Sequence, residues 1–81
     1  MAAIDYKLHL ATRELRTLID RPGDWRPHAA RIVERCRKAL DKAQCGREAR
    51  ELSPFCHSVE PAVAIQAIEE MVQRRLQRAQ A

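Results

Sequence analysis

The chain is nearly devoid of aromatic residues: Tyr6, Trp25 and Phe55 are the whole set in 81 positions. That scarcity excludes a core built on stacked rings. It also leaves no row of aromatics on which the bases of a single strand would stack. Glycine is as scarce, and Gly23 and Gly46 lie too far apart to form a glycine-rich phosphate loop. No stretch approaches the ~18 consecutive apolar residues of a membrane span. The opening Met1-Ala-Ala-Ile-Asp-Tyr-Lys is charged early and lacks the apolar region of a secretion signal. Three cysteines are an odd number and cannot all pair within one chain. These absences point to a protein of a reducing cytoplasm with no membrane partner.

What is present is the composition of a folded domain. Apolar residues make up 46% and charged residues 32%, so the chain is not the apolar-poor type that stays disordered. Its length allows one domain, 1–81, with a core of Leu, Ile, Val, Ala and Met and a large exposed surface. The net charge of +4 suits an acidic protein or nucleic acid and selects neither. Arg outnumbers Lys twelve to three. That ratio favours bidentate contacts to carboxylate or phosphate, and a GC-rich coding bias gives it too.

Apolar periodicity predicts three main helices. Ile4, Leu8, Ala11, Leu15 and Leu18 recur at helical spacing, which places one apolar stripe on a helix over 4–19; Ile19 widens the stripe, and Tyr6 and Leu10 lie off it. Arg21-Pro22-Gly23 stops that helix. Asp24 is the expected N-cap of the second, with Pro27 in its first turn. Its stripe is Ala29, Val33, Cys36, Leu40 and Ala43, with Ile32 and Ala39 beside it, and Gly46 is the expected residue after its C-cap. Trp25 is placed to close the end of the bundle, its indole N–H seeking an acceptor. Residues 47–57 read as a kinked, partly helical connection, with a short helical turn over Arg47 to Leu52 and another started by Ser53-Pro54. Ser58 is the expected N-cap of the last helix, with Pro61 in its first turn. Ala62, Ile65, Ile68, Val72 and Leu76 form its stripe, Ala64 and Met71 flank it, and Glu70 pairs with Arg74. The tail 78–81 is expected to fray. The fold is an all-α, three-helix bundle without a sheet.

Chemistry-bearing residues are few. Cys36, Cys45, Cys56 and His57 are the ligand types of a structural zinc site, but the thiols are nine and eleven residues apart and lack the close pairing that zinc sites use. Cys36 also falls on the apolar stripe, where a thiol acts as a small hydrophobe. Cys56 is the expected exposed thiol; adjacent His57 would lower its pKa only if the two side chains face each other, which sequence neighbours need not do. Glu69 and Glu70 are consecutive and diverge by ~100° on a helix, a poor acid–base pair. His9 and His28 are isolated. No metal, cofactor or catalytic residue is therefore assigned, and the chain is expected not to be an enzyme.

The second helix carries Arg31, Arg35, Lys38 and Lys42 on one exposed row, with Glu34 placed to neutralise Lys38 in part. This row is either an ordinary solvated face or a docking surface for phosphates or an acidic protein. A helix-turn-helix reader is disfavoured, because a recognition helix after Gly46 would be broken by Pro54.

Residues 55–71, Phe-Cys-His-Ser-Val-Glu-Pro-Ala-Val-Ala-Ile-Gln-Ala-Ile-Glu-Glu-Met, resemble a recurring segment of Ead-type early accessory proteins of temperate phages. A polar turn leads through Pro61 and Ala62 into an aliphatic helix bearing Val63, Ile65, Ile68 and Met71. The resemblance covers about a fifth of the chain. It implies phage or mobile-element origin, brings no enzymatic residue, and suggests action by binding a host protein.

The expected function is a small protein-binding module, an inhibitor or adaptor that occupies a surface. Tyr6 and Leu10 would seat a partner or a second copy as a homodimer. Arg31, Arg35, Lys38 and Lys42 would steer an acidic partner. The alternative is non-specific nucleic-acid binding through the same four cations.

Overall fold

The computed structural model describes residues 3–80. Met1, Ala2 and Ala81 lie outside, and with them the extreme ends of the readings made for the N-terminus and the tail. The described residues form four α-helices and no strand: α1 (Ala3–Ile19), α2 (Arg26–Lys42), α3 (Gly46–Leu52) and α4 (Pro61–Gln80), with a 3-10 turn at Ser53–Phe55 between α3 and α4. The all-helical architecture is as the periodicity predicts. The turns expected over 47–52 and from Ser53 are present, and the first is a full helix, α3, that buries Glu48, Ala49 and Leu52. A four-helix description therefore replaces the three-helix one.

The stripe of α1 holds as read. Leu8 and Leu15 are fully buried, and Ile4, Ala11 and Leu18 are buried around them. Ile19 is 51% exposed and does not widen it. Thr12, beside the stripe, is buried and donates its hydroxyl to the His9 carbonyl at 2.7 Å, which satisfies it locally. α2 buries Ala29, Ala30, Ile32, Val33, Cys36 and Leu40, while Ala43 is exposed at its C-cap.

Three caps differ from expectation. The N-cap of α2 is Trp25, whose carbonyl accepts from the Ala29 N–H at 2.8 Å. Asp24 stands one residue earlier. It accepts from the Arg26 N–H at 3.2 Å and pairs with the Arg26 guanidinium, which together hold its carboxyl down at about 2. At the far end of α2 the left-handed residue is Gln44 at φ 64°, not Gly46. The Cys45 N–H reaches the Leu40 carbonyl at 2.8 Å and the Gln44 N–H reaches the Asp41 carbonyl at 3.1 Å. That is a Schellman closure with glutamine where glycine is usual, and it frees Gly46 to begin α3. α4 begins at Pro61, and the Glu60 carbonyl, not Ser58, accepts from the Ala64 N–H at 3.0 Å.

The buried face of α4 is rotated from the predicted stripe. Pro61, Ala64, Ile65, Ile68 and Met71 are buried, Val72 is half-buried, and Ala62 and Leu76 are exposed. Glu70 accepts from Gln66, and Arg74 pairs with Glu51 of α3, so the expected Glu70–Arg74 pair is not formed. α4 keeps helical geometry through Gln80, past the point where fraying was expected.

α1 and α4 make the largest helix–helix contact and run antiparallel, with Asp5 beside Arg75 and Arg16 beside Glu69. α2 packs on α1 and α3. Trp25 closes one end as expected. It is half-buried against the core and donates its indole N–H to the Arg21 carbonyl at 3.2 Å. Its ring also lies against Gly23, which takes φ 126°. At the opposite end Arg75 joins α1 to α3. It donates to Asp5 and to the buried Glu48, each at 2.6 Å.

Candidate functional site

Four of the six residues singled out for binding, Leu10, Arg31, Arg35 and Lys38, line two neighbouring depressions on either side of α2. Leu10 and Arg35 line a groove of about 290 Å³ between α1 and α2, together with Lys7, Ala11, Glu14, Ile32, Cys36 and Ala39. Antiparallel pairing of the two helices brings these residues together. Leu10, one position off the stripe, comes to stand half-buried at the edge instead of beneath it. Tyr6 is 54% exposed one turn before Leu10 and lies outside the lining of this groove.

On the other flank of α2 lies a broad trough of about 670 Å³. Arg31, Arg35 and Lys38 line it together with His28, His57, Pro27, Ala30 and Cys56. Arg35 is therefore the ridge between an apolar groove and a cationic trough. Lys42 continues the row but lines neither.

The ion pairs decide which of these charges are free to act. Among the described residues, eight of the eleven carboxylates are in ion pairs, against seven of the fifteen Lys and Arg side chains. The surplus charge collects on α2 and α3. Arg31, Lys38, Lys42, Arg47 and Arg50 have no ion-pair partner there, and Asp41 is the one unpaired carboxylate. Arg35 is the exception in its row: its Nη2 donates to Glu14 Oε2 at 2.7 Å. Glu34 does not neutralise Lys38. It accepts both prongs of the Arg37 fork, at 2.8 and 2.6 Å, and that pairing holds its carboxyl at about 2. Glu34 thus lines the cationic trough with its charge already spent.

Two of the three thiols, Cys36 and Cys56, are held in the protonated form. All three are free cysteines. Cys36 is buried, and burial pushes its thiol up to about 11. Cys56 is half-buried and donates to the Leu52 carbonyl at 3.3 Å. Burial, with the neighbouring Glu34 carboxylate, raises it to about 11 as well. His57, its neighbour in sequence, is not among the groups that shift Cys56. Among the described residues no three His, Cys, Asp or Glu side chains gather as a metal site, and no helix is long and apolar enough to cross a membrane.

Sequence reasoning missed Glu48 and Arg75. Arg75 lies four residues after Met71, on the same row as Pro61, Ala64, Ile68 and Met71. A cation that continues an apolar row signals a carboxylate waiting inside, and that was the clue available. Compared with protein-family models, curated proteins and solved structures, the chain matches none, so no relative lends it a function.

Proposed function

We propose that this chain is a non-enzymatic protein-binding module that docks an acidic protein partner on α2 and the edge of α1, as an inhibitor or adaptor of the partner it covers. The carrying observation is the position of Arg35 on the ridge between the Leu10 groove and the Arg31–Lys38 trough. One helix offers apolar anchoring on one side and uncompensated cations on the other. Protein interfaces combine these two features, apolar contact for affinity and charge for orientation and on-rate. Two thiols held protonated near neutral pH support a binding role over a cysteine-based enzyme. The resemblance of residues 55–71 to Ead-type phage proteins points the same way, toward a mobile-element protein acting on a host protein in a reducing cytoplasm.

The test is affinity capture from host cytoplasm with nuclease present. One stoichiometric protein, retained after nuclease and lost in the Arg31→Glu, Lys38→Glu variant, supports the module. Recovery of nucleic acid alone, or of no partner at low salt, counts against it. A homodimer through Tyr6 and Leu10 is checked in the same preparation by its mass in solution.

A second reading rests on the five unpaired cations of α2 and α3, which suit a phosphate backbone. It predicts affinity for unrelated duplexes that falls steeply with salt. Absence of duplex binding at low salt removes it.

A further inference from the structure

Glu14 and Arg35 pair across the mouth of the groove between α1 and α2, and both side chains are about half exposed, at 49% and 64%. An exposed pair of this kind is worth no more than about a fivefold factor in an equilibrium. It can be exchanged at little cost. Beneath it the groove is apolar: Ala11, Ile32 and Cys36 are buried floor, and Leu10 and Ala39 are half-buried walls. At about 290 Å³ it lies at the low end of the ~300–1,000 Å³ that enclose a small-molecule ligand. That size suits the anchoring side chains of a larger partner.

The walls are two antiparallel helices, and the natural occupant of such a cleft is a third helix presenting apolar anchors at i and i+4. Tyr6, exposed one turn before Leu10 on the same side of α1, extends the apolar track. The charge at the rim selects the sign of the occupant. Lys7 is unpaired, Arg35 is held only by Glu14, and Glu14 is the one carboxylate lining the groove. With Glu14 displaced, the rim is wholly cationic. Arg31 and Lys38 extend that charge along α2.

We propose that this groove seats an amphipathic helix of an acidic protein, and that Glu14 is a built-in competitor which holds Arg35 until a carboxylate of the partner takes its place. The inference rests on the protein-binding reading and adds the partner's chemistry and the exchange. In the bound state the partner's carboxylate accepts from Arg35 Nη2 while its apolar anchors lie between Leu10 and Ala39. Glu14 then opposes binding, so removing its charge strengthens the complex.

The full chain is titrated with two synthetic helices that share one leucine face, one flanked by Glu and the other by Lys. Binding is read by fluorescence anisotropy and located by amide chemical shifts. The Glu helix is expected to bind, with shifts at Leu10 and Ala39, and the Lys helix is not. Glu14→Gln is expected to tighten the Glu helix by about two- to fivefold. Arg35→Glu is expected to weaken it by at least about tenfold, and Leu10→Ser to weaken it as well. Thermal melts confirm that each variant is folded, and the two charge variants lie at exposed positions. Equal affinity for both helices, shifts elsewhere, unchanged or weaker binding in Glu14→Gln, or no binding of either helix overturns the proposal. If the Glu helix fails while a host protein is still captured in a manner that depends on Arg31 and Lys38, the groove assignment falls and the protein-binding reading stands. If both fail, both fall.

Discussion

Arg75 Nε donates to Asp5 Oδ1 at 2.6 Å across a separation of 70 residues, tying the first turn of α1 to the last third of α4. The same guanidinium reaches Glu48 Oε1 at 2.6 Å and lies 3.7 Å from Cys45 Sγ. Three helices meet on one side chain. Its partners raise the Arg75 pKa, the Asp5 hydrogen bond most.

Arg75→Met leaves Glu48 buried, with Arg78 at 3.4 Å as its remaining partner. Breaking a buried pair strands a charge and costs ~3–5 kcal/mol. Because Arg78 stays, we expect about 2–4 kcal/mol here. Urea denaturation measures it. Adding Glu48→Gln is expected to recover part of the loss, and a double variant as unstable as the sum of the singles refutes the coupling.

Leu15→Ala removes a side chain with no exposed surface. The expected cost is about 2–5 kcal/mol, a large share of the ~5–15 kcal/mol that holds a small domain. A loss below about 1 kcal/mol in the same denaturation experiment contradicts its place in the core.

At Gln44 and Gly46 the usual glycine logic is exchanged. Gln44→Gly relieves a left-handed side chain at φ 64° and is expected to stabilise by about 0.5–1 kcal/mol after the entropy of the unfolded glycine is charged against it. Gly46→Ala places a Cβ where nothing lies within 4 Å, so it is expected to be neutral or to stabilise by up to about 1 kcal/mol. Destabilisation of more than about 1 kcal/mol in either melt rejects the cap assignment.

Asp24 and Glu34 predict acid sensitivity. Each has its folded pKa lowered to about 2, from ordinary values of 3.8 and 4.5, chiefly by the Arg26 and Arg37 side chains. A depressed carboxyl contributes stability in full above its unfolded value and loses it as pH falls through the folded one. Melting temperature is therefore expected to decline below about pH 4.5 and on to about pH 2. The Asp24→Asn, Glu34→Gln variant is expected to show a flatter profile. An unchanged slope in that variant removes these two carboxyls as the cause.

Cys36 and Cys56, both at about 11 against an ordinary thiol near 9.0, have about a hundredfold less thiolate at neutral pH. Alkylation of the native protein at pH 7.5 is expected to leave both largely unmodified and to proceed quickly in denaturant. Rapid labelling of Cys56 in the folded state contradicts its burial.

Much of this architecture was legible from periodicity alone. The stripe of α1 and the buried Val33, Cys36 and Leu40 of α2 follow from spacing, because apolar residues there have no competing role. The row Arg31, Arg35, Lys38 and Lys42 is exposed as read. Its pairing was not legible, since Glu14 lies 21 residues before Arg35 and only the antiparallel approach of two helices joins them. α4 was misread by part of a turn, because Val72 and Leu76 suit a core as well as Met71 does. Arg75 drew no reading, because its buried partner Glu48 lies on another helix 27 residues earlier. α3 was legible only as a short helical turn over 47–52, for a related reason. Its buried face includes a carboxylate, and an apolar count over seven residues does not register a charge satisfied from another helix.

The wide sequence separation between α1 and α4 also sets an order of events during synthesis. α1 is made well before its main packing partner, α4, and the arginine that pins Asp5. Until α4 emerges, Leu8 and Leu15 can be shielded only on their α2 side. In that interval the aliphatic face of α1 lacks its main cover, a condition in which a nascent chain is open to chaperones and to aggregation.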